Sequence, residues 1–481
     1  MRVRKPLGVA PGFRARNCPG PVKPADDIDS DNVPVHVPLP RQRRHNSPHE
    51  PPPVVAVTTA SRARRAVRAV LAFGVLVGSL VPAYFFLLAD TTPFAWDFRA
   101  YHHAAALALD GQPFVGVSPP VGGGEWVYPP ITVAAFYAYT LVSWSVAYLV
   151  HAAASIVAGL ACAHFVLGDL RNRGVTLSRT DTALVAAFFT LSTYPMVVLG
   201  QGQLGLFVLL ALLGAYRALN AGRQRTAGGL LALASAFKLF PLFLLVWFAR
   251  RRAWRAIAWC LGTVTALCAA GVAAFGWSLH AEYVRFILFE RSRVSELAAG
   301  MSPNVSALTL QRPLAALLPD VEPVVYTVLA AALLLPVLGI VYTHVGTQRD
   351  RAVAYLATLV VLLLVSPASN VHHVLYVYVP LVALLYTVGD PVVRACFLTG
   401  TTLLLAPVQP AILADVLSAA GAPASGTATV VAASHAVLSV GSLALYGLLV
   451  VLGGCVVHAA RSRPVSEPAT TPSERRVAEQ D

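Results

Sequence analysis

The sequence predicts an all-α, polytopic membrane protein. Of its 481 residues, 56% are hydrophobic and only 12% are charged, and the mean hydropathy is +0.64. The apolar residues form runs of about 20, the length that an α-helix needs to cross the hydrocarbon core of a bilayer. Short clusters of Lys and Arg separate these runs, which is the pattern that sets membrane orientation. The net charge of +13 therefore does not indicate nucleic-acid binding.

Both ends of the chain differ in composition from the rest. Residues 1–65 are rich in Pro, Arg and Asp and show no apolar period. A segment of this kind buries too little surface to offset its chain entropy, so we expect a disordered cytoplasmic tail. Residues 461–481 have a similar composition and the same expectation. The membrane domain is predicted at 66–460, and its first apolar run should act as an uncleaved signal anchor.

The membrane domain is expected to contain about 10–12 membrane helices, some of them short or half-inserted. The predicted spans are 66–89, 145–168, 181–199, 203–219, 253–275, 323–345, 352–365, 371–388, 392–412 and 429–458. The apolar stretch 129–168 is too long for one span, so residues 131–142 are predicted to form a short helix at the membrane surface or partly inserted.

Residues 226–249 have the length of one span but are flanked by Arg clusters on both sides. The positive-inside rule places both clusters in the cytoplasm. Lys238 and Pro241 lie at the middle, where a helix would break. We therefore predict a re-entrant pair of half-helices. With that choice, all but six of the 36 Lys and Arg residues fall on the cytoplasmic side or in the tails. The exceptions are Arg99, Lys238, Arg285, Arg291, Arg293 and Arg312.

The first external loop, residues 90–130, is predicted to contain a short amphipathic helix that begins at Asp97 and ends at Gly111. A carboxylate at a helix start is stabilised by the helix dipole. Asp97 could take a proton from an attacking hydroxyl at the membrane boundary. The alternative is that Asp97 simply caps the helix, since Asp is a preferred N-cap residue.

Other polar residues lie at predicted external helix ends. His102, His103, His372 and His373 could bind a phosphate, a sugar or a metal, or could anchor helix ends. Gln201 and Gln203 lie in LGQGQLG, which matches a dinucleotide-binding glycine pattern but follows no strand, so nucleotide binding is rejected. These glutamines could bind a sugar or be ordinary loop residues.

Lys238 is predicted inside the membrane, where an unpaired ammonium costs at least ~2.5 kcal/mol. The ammonium could bind an anionic lipid phosphate, or the long aliphatic side chain could carry it to water at the membrane surface. The six cysteines have no metal-ligand spacing, so no metal site or cofactor is predicted, and the sequence leaves a metal requirement open.

Several segments together resemble one enzyme family. WDFRAYHHAA, GQPF, EWVYPP, LGQGQ, AGGLLALASAFKLFP, NVSAL and SPASNVHH occur in the order typical of polyprenol-phosphate-mannose-dependent α-mannosyltransferases, glycosyltransferase family 87. The resemblance covers roughly residues 70–390. It implies a C-type glycosyltransferase (GT-C) bundle in the plasma membrane, with an active site at the extracytoplasmic face. The cytoplasmic termini are predicted by the charge pattern.

The resemblance also implies roles for individual residues. Asp97 would deprotonate the acceptor hydroxyl, and the sugar would be transferred from a polyprenyl phosphate with inversion. Lys238, Arg99 and His373 would neutralise the departing lipid phosphate. The sugar and acceptor region would be lined by Tyr101, Tyr128, Gln201, Gln203, Asn304 and His372.

The partners expected from the resemblance are a polyprenyl-phosphate sugar, membrane lipids and a glycolipid or polysaccharide acceptor. The sequence departs from the family's usual pattern at Asn370 and at the glycines before EWVYPP, so the acceptor stays open, as does mannose against arabinofuranose. Two other classes fit the sequence: a transporter of lipid-linked sugars, and a non-catalytic membrane assembly subunit.

Overall fold

The computed structural model describes residues 54–88, 94–120, 122–287, 307–319, 321–343 and 345–462, with the backbone alone for 54–60. The described residues form helices and no β-strand beyond two isolated bridges. The α-helices are α1 (Val54–Leu87), α2 (Trp96–Leu109), α3 (Trp144–Asn172), α4 (Arg179–Leu191), α5 (Thr193–Gln201), α6 (Gly205–Asn220), α7 (Gln224–Phe237), α8 (Leu245–Arg250), α9 (Trp254–Arg285), α10 (Gln311–Leu317), α11 (Pro323–Tyr342), α12 (Gln348–Val365), α13 (Tyr378–Thr387), α14 (Pro391–Leu405), α15 (Pro410–Ala419), α16 (Ala424–Leu438) and α17 (Leu443–Arg461). Three 3-10 helices lie at Pro130–Leu141, Phe240–Leu244 and Val371–Val377.

Six helices within the described ranges are long and apolar enough to cross a membrane, and a seventh span results if the bent pair α14–α15 is counted as one. Several shorter apolar helices fill the space between them. Much of the surface of α9 and α11 is apolar and exposed, as lipid-facing helices require. The chain is therefore an all-α polytopic membrane protein, and the predicted fold class is confirmed.

Basic residues join the helices at one end of the bundle, which we call the arginine end. The contacts there include Arg68–Asp181, Arg217–Asp169, Arg251–Asn220 and Arg461–Asp390. The first of these is bidentate, with Nε–Oδ1 and Nη2–Oδ2 distances of 2.7 and 2.9 Å. The described loops near α2, α5 and α10 lie at the opposite end, which we call the site end. The clustering of Arg on one side agrees with the charge pattern of the sequence.

Three predicted spans are interrupted. Helices α4 and α5 together form one candidate span, Arg179–Gln201, but the helix is interrupted at Ser192, whose backbone is extended. Pro195, in the first turn of α5, has no N–H to continue the α4 ladder. The span 392–412 bends by 69° before Pro410, which starts α15. The predicted single helix 429–458 is wrong: it divides into α16 and α17, and Ser442 caps the second by accepting a hydrogen bond from the backbone N–H of Leu445.

Of three other predicted boundaries, one agrees with the structure and two differ from it. A separate short helix at Pro130–Leu141 precedes α3, as predicted for 131–142. Helix α9 continues past the predicted end at residue 275 to Arg285 and is kinked at Gly276, whose φ is +78°. Helix α1 begins at Val54, well before the predicted start of the first span.

The predicted break in residues 226–249 is confirmed. Helix α7 ends at Phe237, and Lys238 has an extended backbone, with φ −140° and ψ 112°. The chain then returns through a 3-10 turn and α8 to Arg251, whose Nη1 donates a hydrogen bond to Asn220 Oδ1 at 3.0 Å. Asn220 ends α6, just before α7 begins. Both ends of this helical hairpin therefore lie at the arginine end, and Lys238 lies at its tip.

A cluster of buried aromatic side chains holds the site end together. Its members are Phe98, Tyr101, Phe114, Trp126, Tyr128, Phe136 and Tyr148. They come from α2, from the loop 110–129, from the 3-10 helix that follows and from α3. Aromatic pairs contribute about 0.5–1.5 kcal/mol each beyond the area they bury. This cluster fixes α2 against the body of the bundle and thereby places Asp97.

Candidate functional site

Asp97 lies in the first turn of α2, but it does not cap the helix. The N-cap is Ala95, which is fully buried, has φ +54° and donates its backbone N–H to Gly200 O at 2.7 Å. A non-glycine residue in this left-handed region costs roughly 1–2 kcal/mol, so the surrounding contacts must hold it there. The N-cap interpretation of Asp97 is therefore wrong. Its carboxylate lies at the positive end of the helix dipole and is available for other contacts.

Gln203 holds the Asp97 carboxylate. Its Nε2 donates to Asp97 Oδ2 at 2.6 Å and also to Gln201 Oε1 at 3.0 Å. The turn between α5 and α6 places both glutamines, because Gly202 ends α5 with φ +69°. A Cβ at Gly202 would lie 2.5 Å from Phe98 Cβ, so only glycine lets this turn approach α2 so closely.

The glycines before EWVYPP pack against the start of α2. Gly124 donates its N–H to Trp96 O at 3.0 Å, and a Cβ there would lie 3.3 Å from Asp97 Oδ1. A side chain at this position would therefore crowd the second carboxylate oxygen of Asp97. The loop then forms a bridge between Trp126 and Val115 and places Tyr128 beneath α2.

Tyr101 and Tyr128 form a buried pair next to Asp97, and their hydroxyls are 2.8 Å apart. Burial, and then the neighbouring Tyr128 and Asp97, raise the pKa of Tyr101 well above its usual value. Its hydroxyl therefore stays protonated. Lys238 Nζ lies 5.6 Å from the centroid of the Tyr128 ring, within range of a cation–π contact. The Tyr128 ring thus contacts Lys238, and its partner Tyr101 lies one helical turn after Asp97 in α2.

The junction of α12 with the 3-10 helix 371–377 forms another wall next to Lys238. His373 Nδ1 accepts a hydrogen bond from the Asn370 backbone N–H at 3.1 Å, and its ring stacks on Tyr376. Phe240, two residues after Lys238, packs against both His373 and Tyr376, with ring centroids 5.1 Å apart in each case. His372 packs edge-on against His373. Both histidines are buried.

The structure does not bring every predicted residue into this cluster. The guanidinium of Arg99 lies over the ring of Trp144, 4.6 Å from its centroid. His102 Nε2 lies 3.1 Å from Val142 O. Burial, with His102 as a second cause, lowers the pKa of His103. Asn304 lies outside the described residues.

Two apolar grooves flank the cluster. The first groove, about 180 Å³, lies between α1, α3 and α5, and Gln201 forms part of its wall. The second groove, about 230 Å³, lies between the 3-10 helix 130–141, α3, α6 and α7. His151 and Phe237 line the second groove, and Phe237 directly precedes Lys238. Such grooves are suited to hydrocarbon chains.

Three residues of the site were not singled out by the sequence. Gly202 is necessary for the approach of Gln203 to Asp97, and its signal was the glycine-containing LGQGQLG turn. Tyr376 stacks on His373 and packs against Phe240. His151 is 1% exposed and packs on Phe98, with ring centroids 5.0 Å apart. A Tyr or His inside an apolar run does not by itself indicate a functional site, so the sequence did not point to Tyr376 or His151.

The model of glycosyltransferase family 87 matches residues 126–367, which is half of the chain. Tyr128, Gln201, Gln203 and Lys238 lie inside the matched region, and Asp97 lies before it. No curated protein and no solved structure matches the chain.

Proposed function

The chain belongs to glycosyltransferase family 87 and is a membrane glycosyltransferase, and from this premise we propose that it transfers a mannosyl residue from a polyprenyl phosphate to a glycolipid or polysaccharide acceptor. The transfer inverts the anomeric carbon, and Asp97 is the general base. One observation carries the proposal: Gln203 holds Asp97 at 2.6 Å, and the hydrogen-bonded Tyr101–Tyr128 pair links the helix of Asp97 to Lys238, which lies 5.6 Å from the Tyr128 ring.

The arrangement suits a single displacement. The acceptor hydroxyl gives its proton to Asp97 while its oxygen forms a bond to the anomeric carbon. The bond from that carbon to the phosphate oxygen breaks on the opposite face, and its electron pair leaves with the lipid phosphate. The Lys238 ammonium stabilises the negative charge of the departing phosphate. Base and cation must therefore lie on opposite sides of the sugar.

The remaining predicted residues take supporting roles in this proposal. His373 lies beside Phe240 and Tyr376, on the Lys238 side, and is the second candidate for the departing phosphate. Tyr101, Tyr128 and Gln201 line the space for the sugar, with His372 and Asn304 as further candidates. Arg99 reaches the phosphate only if it leaves Trp144, so its role is the least supported by the geometry.

The orientation is part of the same proposal. The arginine end faces the cytoplasm according to the positive-inside rule, and both termini lie there. The site end, with Asp97, then lies at the extracytoplasmic face of the plasma membrane. The two apolar grooves support a substrate that stays in the lipid while its polar group reaches the site.

Transfer from defined donors tests the function. The full-length protein in vesicles is supplied with labelled polyprenyl-phosphate mannose or the arabinose equivalent and with a lipid extract as acceptor source. We expect a labelled product from the mannose donor. Asp97→Asn should lower turnover by about 10²–10⁴-fold, the usual contribution of a general base. Asp110→Asn, at the other end of the same helix, is the matched control and should keep full activity.

Each result has a definite meaning. Retained turnover in folded Asp97→Asn protein would remove Asp97 from its role. Label from the arabinose donor alone would replace mannose as the sugar. Lys238→Gln should lower kcat, because the leaving group loses its counter-charge, and unchanged kcat would contradict its proposed role.

A further inference from the structure

We propose that the first groove, beside Gln201, holds an alkyl chain of the acceptor, so that the acceptor is a lipid-anchored glycan and not a free polysaccharide. The inference rests on the proposed function. It assigns the two grooves to different substrates: the first to the acceptor and the second to the polyprenyl chain of the donor.

The lining of the first groove fits a hydrocarbon chain. Except for Gln201, it is formed by apolar or aromatic side chains and the backbone of α5. Phe86 and Phe94 are exposed at its rim, with ring centroids 6.3 Å apart, and Phe94 packs on Tyr148 at 4.8 Å. A chain lying in this groove removes apolar surface from water.

Side-chain hydrogen bonds connect the wall of the first groove to the proposed base. Gln201 lines the groove, and its Oε1 accepts the hydrogen bond from Gln203, which also holds Asp97. Two hydrogen bonds therefore connect the groove wall to the carboxylate that receives the acceptor proton. A lipid whose chain occupies this groove has its polar head at Asp97, where the acceptor hydroxyl must be.

The start of α3 separates this groove from the second one. Tyr148 lines the first groove and His151, nearly one turn later, lines the second. Tyr148 also closes the partition by donating its hydroxyl to Leu199 O at 2.7 Å. The second groove ends at Phe237, next to Lys238, so it suits the lipid that carries the phosphate. Two lipids can then approach the sugar from opposite sides without crossing.

Gly200 offers a way to fill the first groove. It lies in α5 with ordinary helical geometry, it lines the groove, and a Cβ added there meets nothing within 4 Å. Gly200→Leu should therefore block the groove without straining the backbone. Gly262→Leu is the matched control, because Gly262 lies on the exposed surface of α9 and also has no atom within 4 Å of an added Cβ.

The experiment compares methyl, butyl and octyl α-mannosides as acceptors for the full-length protein, with labelled polyprenyl-phosphate mannose as donor. Each methylene that becomes buried should raise kcat/KM up to about fourfold. We expect the wild type and Gly262→Leu to prefer the longer chains. Gly200→Leu should lose this preference while its KM for the donor stays unchanged.

A photoreactive octyl mannoside, with a diazirine in its chain, locates the chain independently of turnover. We expect labelling within residues 81–88, at Phe94 or Tyr148, or within residues 196–201. Gly200→Leu should show at least fivefold less of this labelling (about one kcal/mol of binding). Equal kcat/KM along the series, an unchanged preference in Gly200→Leu, or labelling elsewhere would overturn the assignment. If the photoprobe labels the groove but no sugar is transferred from the donor to any acceptor, the proposed function is wrong, while the assignment of the groove to an alkyl chain is retained.

Discussion

The hydrogen bond from Gln203 to Asp97 gives the sharpest test of the site. Gln203→Leu keeps a side chain of similar size but removes the donor 2.6 Å from the carboxylate. Hydrogen bonds to charged groups contribute about 1.5–3 kcal/mol. A tenfold change in rate corresponds to about 1.4 kcal/mol. If the hydrogen bond holds Asp97 in its reactive position, its loss should therefore lower kcat by roughly 10- to 100-fold.

The pH profile distinguishes this mechanism from a general loss of structure. The donated hydrogen bond stabilises the charged form of Asp97, so its removal disfavours that form. The carboxylate then takes up a proton at a higher pH. We expect the acid limb of the pH–rate profile of Gln203→Leu to shift towards higher pH. A merely destabilised protein would lose activity at all pH values together.

Gln311 provides a matched control within the same chain. It is fully buried, and its Nε2 donates to Thr327 Oγ1 and to Val365 O, both at 2.9 Å. Gln311→Leu should lower the thermal stability in detergent about as much as Gln203→Leu does. Its kcat should stay at the wild-type level. If Gln203→Leu remains folded with kcat within about twofold of the wild type, or if both variants lose kcat equally, the role given to Gln203 is refuted.

Three further predictions concern the bundle. Tyr128→Phe leaves the buried Tyr101 hydroxyl without its partner, so the free energy of unfolding should fall by about 1–3 kcal/mol, and an unchanged melting temperature would argue against the pair. Gly228→Val should abolish folded protein on size exclusion, because even a Cβ would lie 2.2 Å from a carbonyl oxygen of α9, whereas Gly229→Val has open space and should be tolerated. A reporter inserted after Arg251 should give the same cytoplasmic signal as one at the C-terminus, and an external signal would contradict the re-entrant hairpin.

The sequence alone determined the class of protein and many local features. Apolar length and charge clusters are properties of neighbouring residues, so they predicted the membrane helices, the short helix at 131–142 and the helix that carries Asp97. The break at Lys238 was predicted for the same reason, because Lys and Pro oppose a continuous apolar helix locally. The spans 392–412 and 429–458 were less well predicted, because apolar composition continues through their bends.

The tertiary structure decided which of these residues meet. Asp97 and Gln203 are separated by 106 positions, and their contact depends on how a glycine turn packs against α2. The contact of Lys238 with the Tyr128 ring and the separation of the two grooves by α3 also depend on how distant segments pack together. Helix periodicity fixes only which residues of one helix share a face. The distances between different helices come from the close packing of side chains along their whole contact, which no local pattern contains.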